Sequence, residues 1–210
     1  MEGRLVVKNR RNGLVATVSA FLAVGLLFVT NPEPFSCILH TMSRVHRLRL
    51  SDRIFFVTMN LRRTLPAFTE AEFALILKTP DESRRRLDFA LCGYVLMPEH
   101  WHALLWPRDH ITISNLVRDV KSISARRLNR HRQSHGPVWQ HQFWDRFVRH
   151  AKEYGQRLNY IHSNPVRKGL VAKPEDWQWS SFNNFSLNKS VRGACPIEID
   201  YVELPDSYRG

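Results

Sequence analysis

Beyond an atypical N-terminal segment, the sequence predicts one folded domain in which strands and helices alternate. Residues 54–60 are rich in β-branched and aromatic side chains, which is typical of a strand. Two apolar runs, 89–97 and 100–106, flank a short Pro-Glu turn and indicate a hairpin. Over 112–131 the apolar residues recur at helical spacing, so an amphipathic helix is expected there.

The remaining segments continue the alternation. Thr69 precedes an acidic first turn and predicts the start of a helix. The Thr79-Pro80-Asp81-Glu82 segment should end this helix and can start another. Residues 143–149 predict a last strand. Residues 151–164 then predict a helix that Pro165 ends, because the proline ring disfavours helical geometry in the residue before it.

The charge balance indicates a polyanionic partner. Lys and Arg total 31 against 19 Asp and Glu, which gives a formal net charge of +12. An excess of this size attracts nucleic acids or anionic membrane surfaces, and we favour nucleic acid. A hydrophobic content of 43% argues against a disordered chain. The three cysteines form no Cys-x-x-Cys motif, so neither a disulfide framework nor a zinc ribbon is indicated.

The first 41 residues differ from the rest of the chain. Basic residues precede residues 14–30, a stretch that carries no charge. This pattern is typical of a signal peptide, or of a membrane span at the lower limit of length. A third interpretation, which we favour, is that translation starts at Met42, because a basic and reduced remainder suits the cytoplasm. We divide the chain into an N-terminal extension at 1–41, a domain at 42–190 and a C-terminal tail at 191–210.

A His-x-His pair begins the second strand of the predicted hairpin. Side chains on a strand alternate between faces, so His100 and His102 should point the same way while Trp101 points into the core. Two imidazoles on a rigid strand form half of a metal site. Alone the pair is weak, because about half an occurrence is expected by chance in a chain of this composition.

A second pair of polar residues lies on the helix predicted at 151–164. Tyr160 and Asn164 are four residues apart, so both project from one face of that helix. Tyr160 is a candidate nucleophile and Asn164 a candidate oxygen ligand for a metal. Each also has an ordinary role, as a packed tyrosine and as a helix terminator before proline. The combination with the histidines favours a catalytic site.

Basic and aromatic side chains surround these candidates in the sequence. The residues predicted to hold DNA phosphates are Lys121, Arg126, Arg127, Arg167 and Lys168. A charge run on a helix is as often only a solvated face. Trp177 and Trp179 can stack unpaired bases, but we favour a hydrophobic clasp that closes the C-terminal segment.

Four segments occur in an order that matches a known family. They are Gly93-Tyr94-Val95-Leu96-Met97-Pro98-Glu99-His100-Trp101-His102, Gln140-His141-Gln142-Phe143-Trp144-Asp145, Tyr160-Ile161-His162-Ser163-Asn164-Pro165-Val166-Arg167-Lys168-Gly169-Leu170-Val171 and Asp176-Trp177-Gln178-Trp179-Ser180-Ser181. With these segments the chain resembles the single-tyrosine HUH transposases of bacterial insertion sequences, most closely the REP-associated tyrosine transposase branch. The match spans residues 44–185 and omits 1–41.

The resemblance implies a fold, a reaction and a set of site residues. The fold is α+β, a ferredoxin-like or RRM-like antiparallel sheet with helices packed on one face. The reaction is cleavage and rejoining of single-stranded DNA through a 5′-phosphotyrosine intermediate, with Mg²⁺ or Mn²⁺ bound. His100 and His102 match the metal-binding pair, Tyr160 the nucleophile and Asn164 the third ligand. Tyr154 is the rival nucleophile.

The resemblance also implies partners, and it leaves alternatives open. Relatives recognise hairpins formed by palindromic repeats, act as monomers or homodimers, and work in the cytoplasm on nucleoid DNA. Two other functions remain possible for this chain. One is a sequence-specific single-stranded DNA-binding protein whose catalysis is idle. The other is a zinc hydrolase, which would need a third histidine or an acidic ligand beside His100 and His102.

Overall fold

The computed structural model describes residues 53–108, 111–185, 195–204 and 208, together with the backbone of two N-terminal strands. Those strands, β1 (Arg4–Lys8) and β2 (Val15–Ser19), pair antiparallel within the unit Met1–Leu48. The boundaries predicted at 41/42 and 190/191, and most of the apolar stretch 14–30, lie outside the described residues. Within the described part of the chain, no helix is long and apolar enough to cross a membrane.

The second unit, Arg49–Gly210, is built on a four-stranded sheet in the order β4-β5-β3-β6, with every neighbouring pair antiparallel. Its strands are β3 (Phe55–Asn60), β4 (Phe89–Met97), β5 (His100–Pro107) and β6 (Trp144–Phe147). The predicted hairpin is confirmed as β4 and β5, joined at Pro98-Glu99. The predicted antiparallel sheet is also confirmed.

Two helices cover one face of the sheet, which we call the core face. Helix α1 (Glu70–Leu87) and helix α2 (Ile113–His131) bury their apolar residues against the alternate strand residues Val57, Trp101 and Ala103. Thr69 is the N-cap of α1, as predicted, and its backbone N–H donates to Glu72 Oε2 at 2.8 Å.

The prediction that Pro80 ends the first helix is wrong. Helix α1 runs through Pro80 to Leu87, and the Pro80 side chain is buried. A proline inside a helix removes one backbone hydrogen bond and costs about 3 kcal/mol. Burial of Ile76 and Leu77 before the proline and of Pro80 itself offsets this loss, and Arg84 pairs with Asp81 at 2.6 Å in the turn that follows. Tertiary packing therefore overrides the local signal.

Helix α3 (Ala151–Arg167) lies on the opposite face, which we call the site face. There Ile161 packs in one cluster with Phe56, Val95 and Leu104. From the sequence, the helices are expected on one face of the sheet. Helices α1 and α2 lie on one face, and α3 lies on the other.

The prediction that Pro165 ends helix α3 is wrong, since α3 continues to Arg167. Pro165 removes one backbone hydrogen bond, and its burial beside the buried Asn164 offsets this loss.

The C-terminal segments close over one edge of the sheet. They include a short 3-10 helix (Pro174–Asp176) and helix α4 (Phe182–Phe185). Trp177 Nε1 donates to Leu96 O at 3.0 Å, and the rings of Trp177 and Trp179 both contact Phe73, which confirms the clasp. In the predicted tail, Ile197 is buried in the core and Tyr208 Oη accepts a hydrogen bond from the backbone of Ile54.

Candidate active site

The His-x-His pair stands at the start of β5 on the site face. The rings of His100 and His102 lie 4.6 Å apart, measured between centroids, and Trp101 between them is buried on the core face. The strand pairing places His100 opposite Asn60 and His102 opposite Thr58. The prediction that the two imidazoles share a face is confirmed.

Burial keeps both imidazoles neutral near pH 7. His102 is only 5% exposed, and burial, with a smaller effect from His100, lowers its pKa to about 3. Burial also lowers the pKa of His100, with a further contribution from the Lys168 charge. A neutral imidazole offers a nitrogen lone pair, which is the form that binds a metal.

A hydroxyl on the neighbouring strand orients the inner histidine. Thr58 Oγ1 and His102 Nδ1 are hydrogen bonded at 2.8 Å. In the tautomer that binds a metal through Nε2, the Nδ1 proton is donated to Thr58, and this bond fixes the plane of the ring. The ring of Phe56 stacks on His102 at 5.3 Å and limits its rotation further.

Helix α3 brings Tyr160, and not Tyr154, to the histidines. The Tyr160 ring lies 5.4 Å from the His102 ring and 5.9 Å from the Phe56 ring, and it is partly exposed. Tyr154 donates its hydroxyl to Cys92 O at 3.3 Å, and burial raises its pKa well above the ordinary value. A tyrosine held in this way is a poor nucleophile, so the geometry favours Tyr160.

Asn164 carries an unsatisfied oxygen one helical turn beyond Tyr160. The side chain is 4% exposed, and its Oδ1 has no hydrogen-bond partner among the described residues. Leaving a buried amide oxygen unpaired costs about 1–3 kcal/mol. The Oδ1 atoms of Asn183 and Asn184 are in the same state, so what distinguishes Asn164 is its place one turn from Tyr160. An amide oxygen is a ligand that divalent ions accept.

These donors fit a divalent metal. His100 and His102 supply two neutral nitrogens, and Asn164 supplies an oxygen that lacks a partner within the described part of the chain. Three protein ligands leave coordination positions open for phosphate oxygens. Over the described ranges, no third His, Cys, Asp or Glu joins the pair. Within these ranges the zinc-hydrolase alternative finds no third ligand of that kind beside the two histidines.

Two of the predicted basic residues lie near this centre. The Arg167 guanidinium carbon is 5.4 Å from the centre of the Tyr160 ring. Lys168 is close enough to His100 for its charge to lower the histidine pKa. The positions of Arg167 and Lys168 depend on the continuation of α3 past Pro165, which the sequence did not predict.

The other three basic residues lie on α2, which covers the core face. Lys121 Nζ donates to Gln140 O at 2.5 Å, and Arg127 pairs with Glu82. Arg126 is exposed. The structure does not bring these three side chains to the histidines, and a role in holding DNA phosphates away from the centre stays a prediction.

Three more residues contact the site, and they were not singled out from the sequence. They are Phe56, Thr58 and Trp144. Phe56 contacts His102, Tyr160 and the ring of Trp144, and Thr58 bonds to His102. Alternation along β3 puts Phe56 and Thr58 on one face, but only the β3–β5 register shows that this is the face of the histidines. That register is not visible in a single sequence.

Comparisons with known proteins identify the family of this chain. A family model described as "Transposase IS200 like" matches residues 54–164, which extends from β3 to Asn164. A "REP-associated tyrosine transposase" of Escherichia coli (strain K12) is 27% identical over 159 residues, covering 75% of this chain and 90% of the relative.

A solved structure with a similar fold is described as a REP-associated tyrosine transposase bound to a REP hairpin. It superposes with a TM-score of 0.61 at 26% identity, covering 79% of this chain and 94% of the other. The sheet order, the His-x-His strand and the tyrosine helix are thus accompanied by a family match over more than half of the sequence. The chain belongs to the IS200-like transposases, is similar to their REP-associated tyrosine transposases, and is an enzyme of DNA strand cleavage and transfer that uses a tyrosine nucleophile.

Proposed function

We propose that this protein cleaves and rejoins single-stranded DNA beside hairpins formed by palindromic repeats. In this proposal Tyr160 is the nucleophile, and His100, His102 and Asn164 hold a divalent ion. One observation carries it: the Tyr160 ring lies 5.4 Å from the buried His102, on the same helix as the unsatisfied Asn164 oxygen. The hairpin is supported by the similar transposase whose structure is described as bound to a REP hairpin.

The chemistry of the phenol defines the products. Tyr160 Oη attacks the scissile phosphorus, an O–P bond forms, and the bond from phosphorus to the 3′ oxygen breaks. The phenol loses its proton, and the departing 3′ oxygen gains one. The products are a 5′-phosphotyrosine and a free 3′-hydroxyl. Because the new link is also a phosphodiester, a 3′-hydroxyl of another strand can attack it and join without ATP.

The residues around Tyr160 bind and orient the phosphate. Arg167, 5.4 Å from the centre of the tyrosine ring, supplies positive charge that attracts the DNA backbone. Lys168 adds a second positive charge beside His100. Burial of His102 and its bond to Thr58 keep one ligand fixed and neutral. A divalent ion bound there would neutralise charge on the phosphate and align it with the phenol.

The metal is Mg²⁺ or Mn²⁺ in this proposal. Two imidazoles suit Mn²⁺ or other softer ions, whereas the Asn164 oxygen also suits Mg²⁺. The choice therefore depends on family resemblance rather than on the donors. A substrate in chromosomal repeats implies an enzyme that works in the cytoplasm, associated with the nucleoid. In this proposal the enzyme acts as a monomer or as a homodimer.

The proposal is tested with the full-length protein and end-labelled single-stranded hairpin DNA that carries unpaired flanks. With Mg²⁺ or Mn²⁺, we expect cleavage in the flank and an SDS-resistant adduct on the 5′ end of the downstream fragment. EDTA should abolish the adduct. His100→Ala should reduce it at least 100-fold, because losing a direct ligand should cost no less than the roughly 10- to 100-fold lost with a residue that only orients a ligand. Binding without any adduct under either metal would favour the idle DNA-binding protein. Equal activity on duplex DNA would contradict the single-strand proposal.

A further inference from the structure

Trp144 is a large aromatic side chain in solvent on the site face. It is 48% exposed, more than any other large apolar side chain in the described ranges. It lies on β6, an edge strand, and pairs in register with Thr58, the residue bonded to His102. Residues paired across two antiparallel strands point to the same face. The exposed indole therefore stands on the face that carries the histidines.

A single ring connects Trp144 to the nucleophile. The centre of the Phe56 ring lies 5.6 Å from the Trp144 ring and 5.9 Å from the Tyr160 ring, both in edge contacts. The same Phe56 ring stacks on His102. Trp144 is thus separated from the tyrosine by one packed aromatic side chain, and this contact holds it in place while nearly half of its surface stays in water.

Positive charge surrounds this row of rings. The Arg157 guanidinium lies 5.4 Å from the centre of the Phe56 ring, and Arg167 lies at the same distance from Tyr160. Arg146 is opposite Phe56 in the strand register. One acidic side chain, the buried Glu153, pairs with Arg146 at 3.1 Å and with Arg157 at 3.4 Å. Three guanidinium groups against one carboxylate leave a surplus that attracts phosphates.

An exposed ring beside guanidinium groups is the arrangement that binds unpaired nucleotides, because bases stack on the ring while the cations hold the backbone. The other tryptophans considered for this role are not available for it. Trp177 and Trp179 pack on Phe73, and the Trp177 indole N–H is bonded to Leu96 O.

We propose that Trp144 stacks on an unpaired base of the single-stranded segment next to the scissile phosphate and so positions that phosphate at Tyr160. This inference rests on the proposed function, since it requires single-stranded DNA in the site. With one ring between Trp144 and Tyr160, the stacked base lies within a few nucleotides of the phosphate that is attacked. Trp144 acts on the substrate by contact and takes no part in bond exchange.

The test measures equilibrium binding of the full-length protein to hairpin DNA in EDTA, so that it does not depend on cleavage. A series of DNAs carries one abasic site at each flanking position in turn, which removes a base and keeps its phosphate. Trp144→Ala should weaken binding of intact DNA about 5- to 150-fold, the range for loss of one stacked base. Trp144→Phe should keep most of the affinity. Tyr201→Ala, which removes another exposed ring, should bind as the wild type does.

The decisive result is the coupling between protein and DNA changes. In the wild type, one abasic position should weaken binding by a similar factor, and in Trp144→Ala the same abasic site should have no further effect. Independent effects at every position would show a merely structural role and overturn the inference, as would unchanged binding by Trp144→Ala. A Trp144→Ala variant that loses affinity because a dimer dissociates, seen by light scattering, would also overturn it. Failure of the wild type to bind hairpin DNA would instead refute the proposed function.

Discussion

Thr58 Oγ1 lies 2.8 Å from Nδ1 of His102, and this hydrogen bond joins the two central strands directly beneath the candidate metal site. Thr58→Val keeps the shape of the side chain and removes the acceptor. We expect Mn²⁺ affinity to fall about 10- to 100-fold, because the imidazole loses the partner that fixes its tautomer and plane. Titration calorimetry measures the change. Thr58→Ser is the matched control and should bind Mn²⁺ as the wild type does, whereas equal affinity in Thr58→Val would show that the bond is not used.

Because the Asn164 oxygen has no partner among the described residues, replacing this residue should raise the stability of the metal-free protein and lower its affinity for a metal ion. Asn164→Leu has a similar volume and removes the buried amide, whose unpaired oxygen costs about 1–3 kcal/mol. In EDTA we expect this variant to unfold at or above the wild-type melting temperature. Its Mn²⁺ affinity should fall at least 10-fold, because a ligand is missing. Full Mn²⁺ affinity in a folded Asn164→Leu protein would rule the amide out as a ligand.

Gly93 lies where α3 packs on β4. A Cβ added there would lie 2.7 Å from Leu158 Cδ1, the end of a flexible side chain, so Gly93→Ala should force Leu158 into another rotamer and cost about 1 kcal/mol of unfolding free energy. Gly155→Ala is the control, since a Cβ there meets nothing within 4 Å and should stabilise α3 by about 0.5–1 kcal/mol.

Urea unfolding of a double-mutant cycle tests the cause of the Gly93 effect. In Gly93→Ala/Leu158→Ala, removal of the leucine side chain relieves the overlap. The double variant should therefore be at least 0.5 kcal/mol more stable than the sum of the single effects indicates. Strict additivity would mean that the two side chains do not meet.

Buried histidines predict acid sensitivity of the metal-free protein. Burial lowers the pKa of His102 to about 3 and that of His162 to about 4, from 6.5. Below pH 6.5 the unfolded chain takes up protons that the folded chain does not, so stability falls as pH falls. Each histidine should cost about 2 kcal/mol between pH 6.5 and pH 5.

Between pH 6.5 and pH 5 the effect of the histidines can be measured apart from that of the buried carboxylate Glu72. The hydrogen bond with Arg132 is the chief cause that lowers the pKa of Glu72 from 4.5 to about 2. The stabilising contribution of this carboxylate is therefore lost only below about pH 4.5. Urea unfolding in EDTA at pH 7, 6 and 5 measures the histidine effect. In the His162→Gln variant, the decrease in unfolding free energy between pH 7 and pH 5 should be about 2 kcal/mol smaller than in the wild type. This holds whatever the stability of the variant at pH 7. An unchanged slope would show that His162 titrates normally in the folded protein.

The sequence predicts those parts of the fold that depend on local periodicity. The hairpin that carries His100 and His102, the core position of Trp101 and the helix at 112–131 are confirmed. Both errors in helix length occur at buried prolines, Pro80 and Pro165, where packing compensates for a local penalty that sequence reasoning counted in full.

The candidate site was predictable in its residue types but not in its contacts. The spacing of Tyr160 and Asn164 indicates a shared helix face, yet their approach to His102 depends on α3 lying across the site face. The difference between Tyr154 and Tyr160 appears only when the hydroxyl of Tyr154 is seen bonded to Cys92 O. Trp144 is one of six tryptophans in the sequence, and nothing in its local pattern indicates that its ring is exposed beside the site.

The central claim, that Tyr160 forms the covalent bond to DNA, is tested most directly by isolating the adduct and sequencing the linked peptide by mass spectrometry. We expect the 5′ phosphate on Tyr160. Tyr160→Phe should form no adduct while still binding hairpin DNA, and Tyr154→Phe should form it at a rate close to that of the wild type. A phosphate on Tyr154, or an adduct that persists in Tyr160→Phe, would contradict the mechanism.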